Sequence, residues 1–382
     1  MEARLSLAPR QVSAAWRDAL LILGLGLLSR FWLYGQATLI NELFGLGRTS
    51  QELLCSWDCL WYQNLVQGGY HRAPIAASIG PDADGKANWA FFPLFPLATR
   101  ALMELGLGSF QWAAQGLNNL AFCGSLGLLF VYLQRWLPRP DVWFVLLLLA
   151  FSPYSLYFSA PYTESVYLLL MLGSLLAAYR GRWLLAGLCG ALVSATRNLG
   201  VFLAFSLAAL ALQQCGWRAF LRFAPGTERA WLACVLCGAG LFAYMAFLQF
   251  WMGDALAFSH VQAGWGGEFM NPLARIYLGL HSASAFERYC ALSLVLGLLA
   301  ALYLLRKGRL PEALVLLFGS LIPATVRLPS APRYVLTLFP IYLAVGLCLR
   351  GRPRLQVLSL MLCASLSPVL LAAWITQKAV TV

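Results

Sequence analysis

The sequence predicts an all-α integral membrane protein, a bundle of about eleven transmembrane helices. Three observations carry that prediction. Of the 382 residues, 60% are hydrophobic and only 11% charged, whereas soluble domains carry roughly 25% charged residues. Apolar runs such as 142–150, 166–178 and 291–305 recur along the chain, and a bilayer is the solvent such runs require. The basic residues collect in short clusters between those runs, which is how cytoplasmic loops are marked.

The expected spans lie near 17–35, 112–134, 141–158, 162–179, 183–196, 199–213, 231–251, 289–305, 311–326, 334–349 and 355–376. Residues 183–213 can also be read as one long helix broken at Thr196-Arg197-Asn198. The first residues hold Arg4, Arg10 and Arg17 ahead of an apolar run of span length, without a small-residue cleavage site. They read as a cytoplasmic tail rather than a cleaved signal. With the N-terminus inside, the even-numbered loops hold Arg135/Arg139, Arg180/Arg182, Arg218/Arg222/Arg229, Arg306/Lys307/Arg309 and Arg350/Arg352/Arg354. Together with the tail these are more than half of the 27 lysines and arginines. The pattern fits an odd number of spans and an outer C-terminus. It also accounts for the net charge of +12 without nucleic acid, which is not an expected partner.

The outer side differs. It has two long segments, about 36–111 and 252–288, within a single membrane domain covering 1–382. Most of the 15 acidic residues fall there or at its edge, among them Glu42, Glu52, Asp58, Asp82, Asp84, Glu104, Glu164, Asp254, Glu268 and Glu287. In the first segment Leu53-Leu54, Trp57, Leu60-Trp61 and Leu65 recur at helical spacing before Gly68-Gly69, which suggests an interfacial amphipathic helix. Residues 90–96 are apolar but broken by Pro93 and Pro96, so they fit an interfacial or re-entrant segment better than a span. Trp217, Phe220, Leu221 and Phe223 among arginines suggest a surface helix on the inner side.

The ten cysteines do not form a disulfide framework. Cys234 and Cys237 make a CxxC, but inside a span and with no second pair, so a metal or redox role is not expected. A Cys55–Cys59 disulfide is chemically accessible in an outer loop, although four-residue helical spacing does not favour its geometry.

Several residues stand out chemically. Asp58 is flanked by Trp57 and Trp61, desolvated on one side and reachable from water on the other, which suits a general base. A solvated loop aspartate is the plain alternative. Arg197 sits at an outer helix end, where an arginine marks a partner or pathway or simply snorkels. Glu164 starts a span, either to complement the helix dipole or to pair with an outer arginine such as Arg197. Arg327 and Arg333 bracket a tight outer turn against the positive-inside pattern, and paired guanidinium forks suit a phosphate. Trp57, Trp61, Tyr62, Tyr162, Glu164, Asn198 and His260 are candidate substrate contacts. There is no HExxH or comparable spacing, so no cofactor or metal site is expected, and metal dependence is left open. An outer carboxylate, outer arginines and interfacial aromatics together match a lipid-phosphate substrate with its headgroup at the outer leaflet. An inverting sugar transfer there needs one carboxylate base, while cations stabilise the departing phosphate.

Trp57-Asp58, Tyr62, Gly69-Tyr70 and Ala90-Phe91-Phe92-Pro93-Leu94-Phe95-Pro96 follow in the order of the first motif of the PIG-V-like mannosyltransferases, which this chain resembles. Ser159-Ala160-Pro161-Tyr162-Thr163-Glu164-Ser165 resembles that family's second motif, and Ala195-Thr196-Arg197-Asn198-Leu199-Gly200 its third. Pro332-Arg333-Tyr334-Val335-Leu336 with Phe339-Pro340 resembles a motif of bacterial members. The eukaryotic third motif tends to read Arg-Ser/Thr-Asn-Gly, whereas Asn198 here follows Arg197 directly. The resemblance implies a GT-C fold, a catalytic aspartate in the first outer loop, a polyprenyl-phosphate mannose donor and inversion at the anomeric carbon. It implies Asp58 as base and Arg197 and Arg333 as donor-phosphate contacts. The acceptor is expected to be a lipid, glycan or protein, and membrane lipids surround the chain. Arginine-rich, lysine-poor usage leans to a bacterial cell membrane with an extracytoplasmic site, the endoplasmic reticulum being the alternative. The competing function is a polytopic transporter or lipid flippase, and a third reading is a non-catalytic scaffold. The absence of a visible repeat speaks against transport.

Overall fold

The computed structural model describes residues 9–72 and 85–377. Arg4, Asp82 and Asp84 lie outside the described residues, as does the side chain of Arg10. Helix α1 spans Pro9–Leu43. The first outer segment then carries α2 (Ser50–Leu53), α3 (Asp58–Gly68), a 3₁₀ turn at Asn88–Ala90 and α4 (Leu94–Glu104). The bundle continues with α5 (Phe110–Leu133), α6 (Arg139–Ala150), α7 (Glu164–Tyr179), α8 (Trp183–Thr196) and α9 (Leu203–Cys215). A short α10 (Trp217–Leu221) precedes α11 (Glu228–Leu236) and α12 (Ala239–Met252). The second outer segment holds α13 (Ala257–His260) and α14 (Pro272–Leu280). Then follow α15 (Ala285–Arg306), α16 (Leu310–Ala324), α17 (Ala331–Leu336), α18 (Phe339–Cys348) and α19 (Pro353–Ile375).

Every expected span contains a helix, and the chain is a helical membrane bundle. Among the described residues five helices are long and apolar enough to cross a bilayer unaided, and α11 with α12, bent by 41°, makes a sixth if the pair counts as one span. Helices α7, α8, α16 and α18 are apolar but shorter. Short spans and irregular backbone are tolerated at membrane depth where protein covers them, and much of α7 and α18 is buried. Helix α1 outruns its expected end because Gln36 and Asn41, polar and apparently terminal in the sequence, are buried with partners. Ser367 donates to Gln36 at 3.2 Å, and Asn41 bonds the backbone of Arg48 at both its amide atoms.

Two features lock the bundle. Helix α8 meets α11 and α12 through glycines. A Cβ on Gly187 would lie 2.8 Å from Ala233 Cα, and one on Gly240 would lie 2.1 Å from the Ala191 carbonyl. Close backbone approach through small residues is how membrane helices gain packing without a hydrophobic driving force. The second feature is Arg30, which is buried in α1 with no carboxylate partner among the described residues. Helix α6 ends at Ala150, and the chain continues as a 3₁₀ segment over Pro153–Phe158. The Arg30 guanidinium donates to the carbonyls of Ala150 (3.2 Å) and Ser155 (2.9 Å), to Ser159 Oγ (2.9 Å) and to Ser155 Oγ. It also lies 4.3 Å from the Phe122 ring centroid. The cation therefore satisfies carbonyls that the broken helix would leave bare, at a depth where bare groups are costly.

The two ends of the bundle differ in charge. At one end Arg135 stacks on Tyr179 and Arg309 on Trp136. There Tyr132 and Tyr179 both donate to Oε1 of the buried Glu312, tying α5 and α7 to α16. The candidate site is at the other end.

Candidate active site

Helix α2 starts on a capping box, in which Thr49 and Glu52 satisfy each other's backbone N–H groups. The chain then turns sharply through 54–57, so the expected helix begins only at Asp58. Because Cys55 is outside the helix, the spacing objection to its pairing falls away. Cys55 and Cys59 form a disulfide with a Cα–Cα distance of 5.2 Å. The ring they close contains Ser56, Trp57 and Asp58. Trp57 sits at φ 54°, a conformation a bulky residue adopts only when its surroundings impose it. The apolar side of α3 packs on protein: Trp61 stacks on Phe91 at 5.9 Å, and Tyr62 meets Phe95 edge-on at 5.1 Å.

Tyr162 anchors the turn from below. Its hydroxyl donates to the Ser56 carbonyl (2.9 Å) and accepts from the Asp58 N–H (3.1 Å). The 159–163 segment is itself held by Asn118, which donates to the carbonyls of Ala160 and Tyr162. Trp374 of α19 packs against Tyr162 at 5.5 Å and donates to the Leu53 carbonyl at 3.2 Å.

Four charges alternate in a row. Asp58 Oδ2 accepts from Arg333 Nη1 at 2.6 Å. Arg333 Nε lies 3.5 Å from Glu164 Oε1, the oxygen that also takes Arg197 Nη2. Arg333 is carried by α17, where Pro332 stands in the first turn, and stacks over Tyr162 at 5.0 Å. Arg197 is in extended backbone between α8 and a 3₁₀ turn at Asn198–Phe202. The chain does not continue as one long helix there. Gly200 lies against the end of α8, and a Cβ on it would come within 2.5 Å of Val193 O and Ser194 N. We expect Gly200→Ala to destabilise the protein by about 1–3 kcal/mol, as overpacking does. Thermal melting in nanodiscs checks this, with Gly116→Ala, where a Cβ meets nothing within 4 Å, as the neutral comparison.

Asp58, Arg197, Arg327, Arg333, Trp57, Trp61, Tyr62 and Asn198 all line one cavity of about 540 Å³. Tyr162 and Glu164 are not on its wall but buried behind it, supporting Asp58 and the arginines. His260 is not on the wall either; its side chain is exposed and paired with Asp254 at 2.8 Å. Arg197, Leu199 and Tyr334 also line a small pocket of about 20 Å³ with Tyr167, Phe202 and Phe318, between α7, α9 and α16. Sequence reasoning missed Lys86, Gln262 and Trp265, which complete the cavity wall.

The electrostatics favour an anionic ligand. Within the row of four, two carboxylates balance two guanidinium groups. Arg327 and Lys86 add two cations that no carboxylate among the described residues pairs. Burial lowers the Arg327 pKa from its ordinary value, opposed chiefly by Asp58, and its Nε is buried without a hydrogen-bond partner. A half-buried cation with a free donor at a cavity wall invites an anion.

No family model and no curated protein matches the chain. Among solved structures it is similar to ArnT from Cupriavidus metallidurans bound to undecaprenyl phosphate, with a TM-score of 0.49 and 16% identity. The match covers 80% of this chain and 57% of that one, so the chain spans little more than half the length of the structure it matches.

Proposed function

We propose that this protein is an inverting GT-C-type glycosyltransferase that moves a sugar, mannose by its motif resemblance, from a polyprenyl-phosphate donor to an acceptor hydroxyl outside the cytoplasm. One observation carries the reading: a carboxylate and three arginines share one cavity. The arginines suit the phosphate of a lipid-linked donor. In this reading Arg327 is the primary phosphate contact, because Arg197 and Arg333 are already engaged by carboxylates.

The chemistry balances simply. Arg333 occupies Oδ2 of Asp58, and we assign Oδ1 to the acceptor. The hydroxyl proton passes to Asp58 as the oxygen attacks the anomeric carbon from the face opposite the phosphate. The bond from that carbon to the phosphate oxygen breaks, and its electron pair leaves with the polyprenyl phosphate. Arg327, with Arg197 and Arg333 beside it, stabilises the charge that develops, so the leaving group needs no proton. The Cys55–Cys59 disulfide supports an extracytoplasmic site, because disulfides persist in oxidising compartments.

The test is transfer from a radiolabelled polyprenyl-phosphate mannose by the purified protein in nanodiscs. Arg327→Met should weaken binding of undecaprenyl phosphate by about 10-fold or more, the scale of a lost hydrogen bond to a charged group, and reduce transfer with it. Undiminished lipid-phosphate binding in that variant would remove Arg327 from the site. No transfer from any polyprenyl-phosphate sugar would overturn the reading.

A further inference from the structure

We infer that the rest of the cavity wall is an acceptor subsite for a sugar ring bearing a negative charge, an inference that rests on the glycosyltransferase reading. Arg197, Leu199, Arg327 and Tyr334 form one part of the cavity wall. Another part of the wall is built differently. Trp265 meets Trp61 at 5.3 Å and Phe91 at 6.1 Å, both edge-on, while Gln262 and Lys86 line the cavity with them. Trp61 is three residues beyond Asp58 on α3, so this corner is one helical turn from the base.

An aromatic corner with an amide beside it is the chemistry that holds a pyranose. The apolar face of the ring lies on the indole, and its hydroxyls meet the amide. Trp265 is the ring of the three left half-buried, whereas Trp61 and Phe91 are buried. Lys86 adds a point charge. It is one of few lysines in an arginine-rich chain, and its backbone lies against that of Gly264, next to Trp265 in the chain. A Cβ on Gly264 would lie 2.4 Å from Gly85 O and 3.1 Å from Lys86 N. The two outer segments therefore touch main chain to main chain, which only glycine at 264 allows. Gly267 and Met270 continue this seam: Met270 donates to the Thr325 carbonyl at 2.9 Å, bringing the same segment against the loop that carries Arg327. Donor phosphate and acceptor sugar would thus be read from adjoining parts of one wall, with Asp58 between their reacting atoms.

The experiment measures binding and needs no turnover. The protein in nanodiscs is titrated with octyl β-glucuronide and octyl β-glucoside, below their micellar concentrations, by ligand-observed saturation-transfer NMR. The two probes share ring and tail and differ in charge. Wild type should bind the glucuronide about 3- to 5-fold more tightly, the size of a partly exposed ion pair. Lys86→Met should abolish that preference and Lys86→Arg should keep it, while Trp265→Ala should weaken both probes. Equal binding of the two probes by wild type, or an undiminished preference in Lys86→Met, would overturn the inference. Undecaprenyl phosphate titrated in the same nanodiscs separates the two readings. If it binds while the glucuronide preference is absent, only the acceptor assignment falls. If neither binds, the glycosyltransferase reading falls with it.

Discussion

Asp58→Asn should abolish sugar transfer while the protein still folds and still binds polyprenyl phosphate. Asparagine keeps the shape and a hydrogen-bonding oxygen for Arg333, but it cannot take the acceptor's proton. Positioned acid–base groups contribute about 10²- to 10⁴-fold, and the loss should appear in the single-turnover rate rather than in donor affinity. The geometry makes the test clean. Asp58 is held at its backbone by Tyr162 and at one oxygen by Arg333, and its ring is closed by the disulfide. A variant that transfers sugar at the wild-type rate would remove Asp58 as base. A transport protein would show no transfer with either residue.

Glu164→Leu should be the most destabilising substitution at the site. Glu164 is nearly fully buried and takes Arg197 and Arg333 on one oxygen. Removing it leaves two largely buried guanidinium groups with only Asp58, on Arg333, as a counter-charge. Breaking a buried ion network from one side costs about 3–5 kcal/mol, because the remaining charge is left uncompensated. Glu164→Gln should cost less, since the amide oxygen can still accept from Arg197. Thermal melting and the yield of folded protein read this directly. A melting temperature unchanged in Glu164→Leu, with weaker substrate binding, would make Glu164 a substrate contact instead of a support.

The residues that broke a rule were the legible ones. Asp58 between tryptophans, and Arg197, Arg327 and Arg333 on the outer side, stood out because each violates what membrane segments ordinarily contain. The structure gathers all four on one cavity wall. Helices were legible for the same kind of reason, as apolar runs of span length. Their ends were less so. Gln36 and Asn41 looked like the start of a loop because a sequence does not display Ser367 or the backbone of Arg48 as partners. The Cys55–Cys59 bridge was disfavoured on helical spacing, which did not apply once residues 54–57 left the helix. Lys86, Gln262 and Trp265 carried no periodicity or motif. Their meeting depends on two glycines, 85 and 264, that are far apart in the chain and touch only in the fold. Asn118 was hidden similarly, as a polar residue in an apolar helix whose partners are two carbonyls of a later segment.

Arg30 bears on the order in which the chain can be assembled. Apart from the adjacent Ser29 hydroxyl, its carbonyl and hydroxyl partners follow it by 120 to 129 residues. Helix α1 leaves the ribosome long before those exist. Until the segment after α6 arrives, this arginine has only the Ser29 hydroxyl as a hydrogen-bond partner, and a lone charge at membrane depth is costly. The first helix therefore cannot settle first. Its final position waits for the broken end of α6, and docking that end also sets the 159–165 segment whose tyrosine holds Asp58. The reactive centre is completed later still, when α17 brings Arg333 to Asp58, and a chain arrested before residue 159 would have neither a settled first helix nor an anchored Asp58.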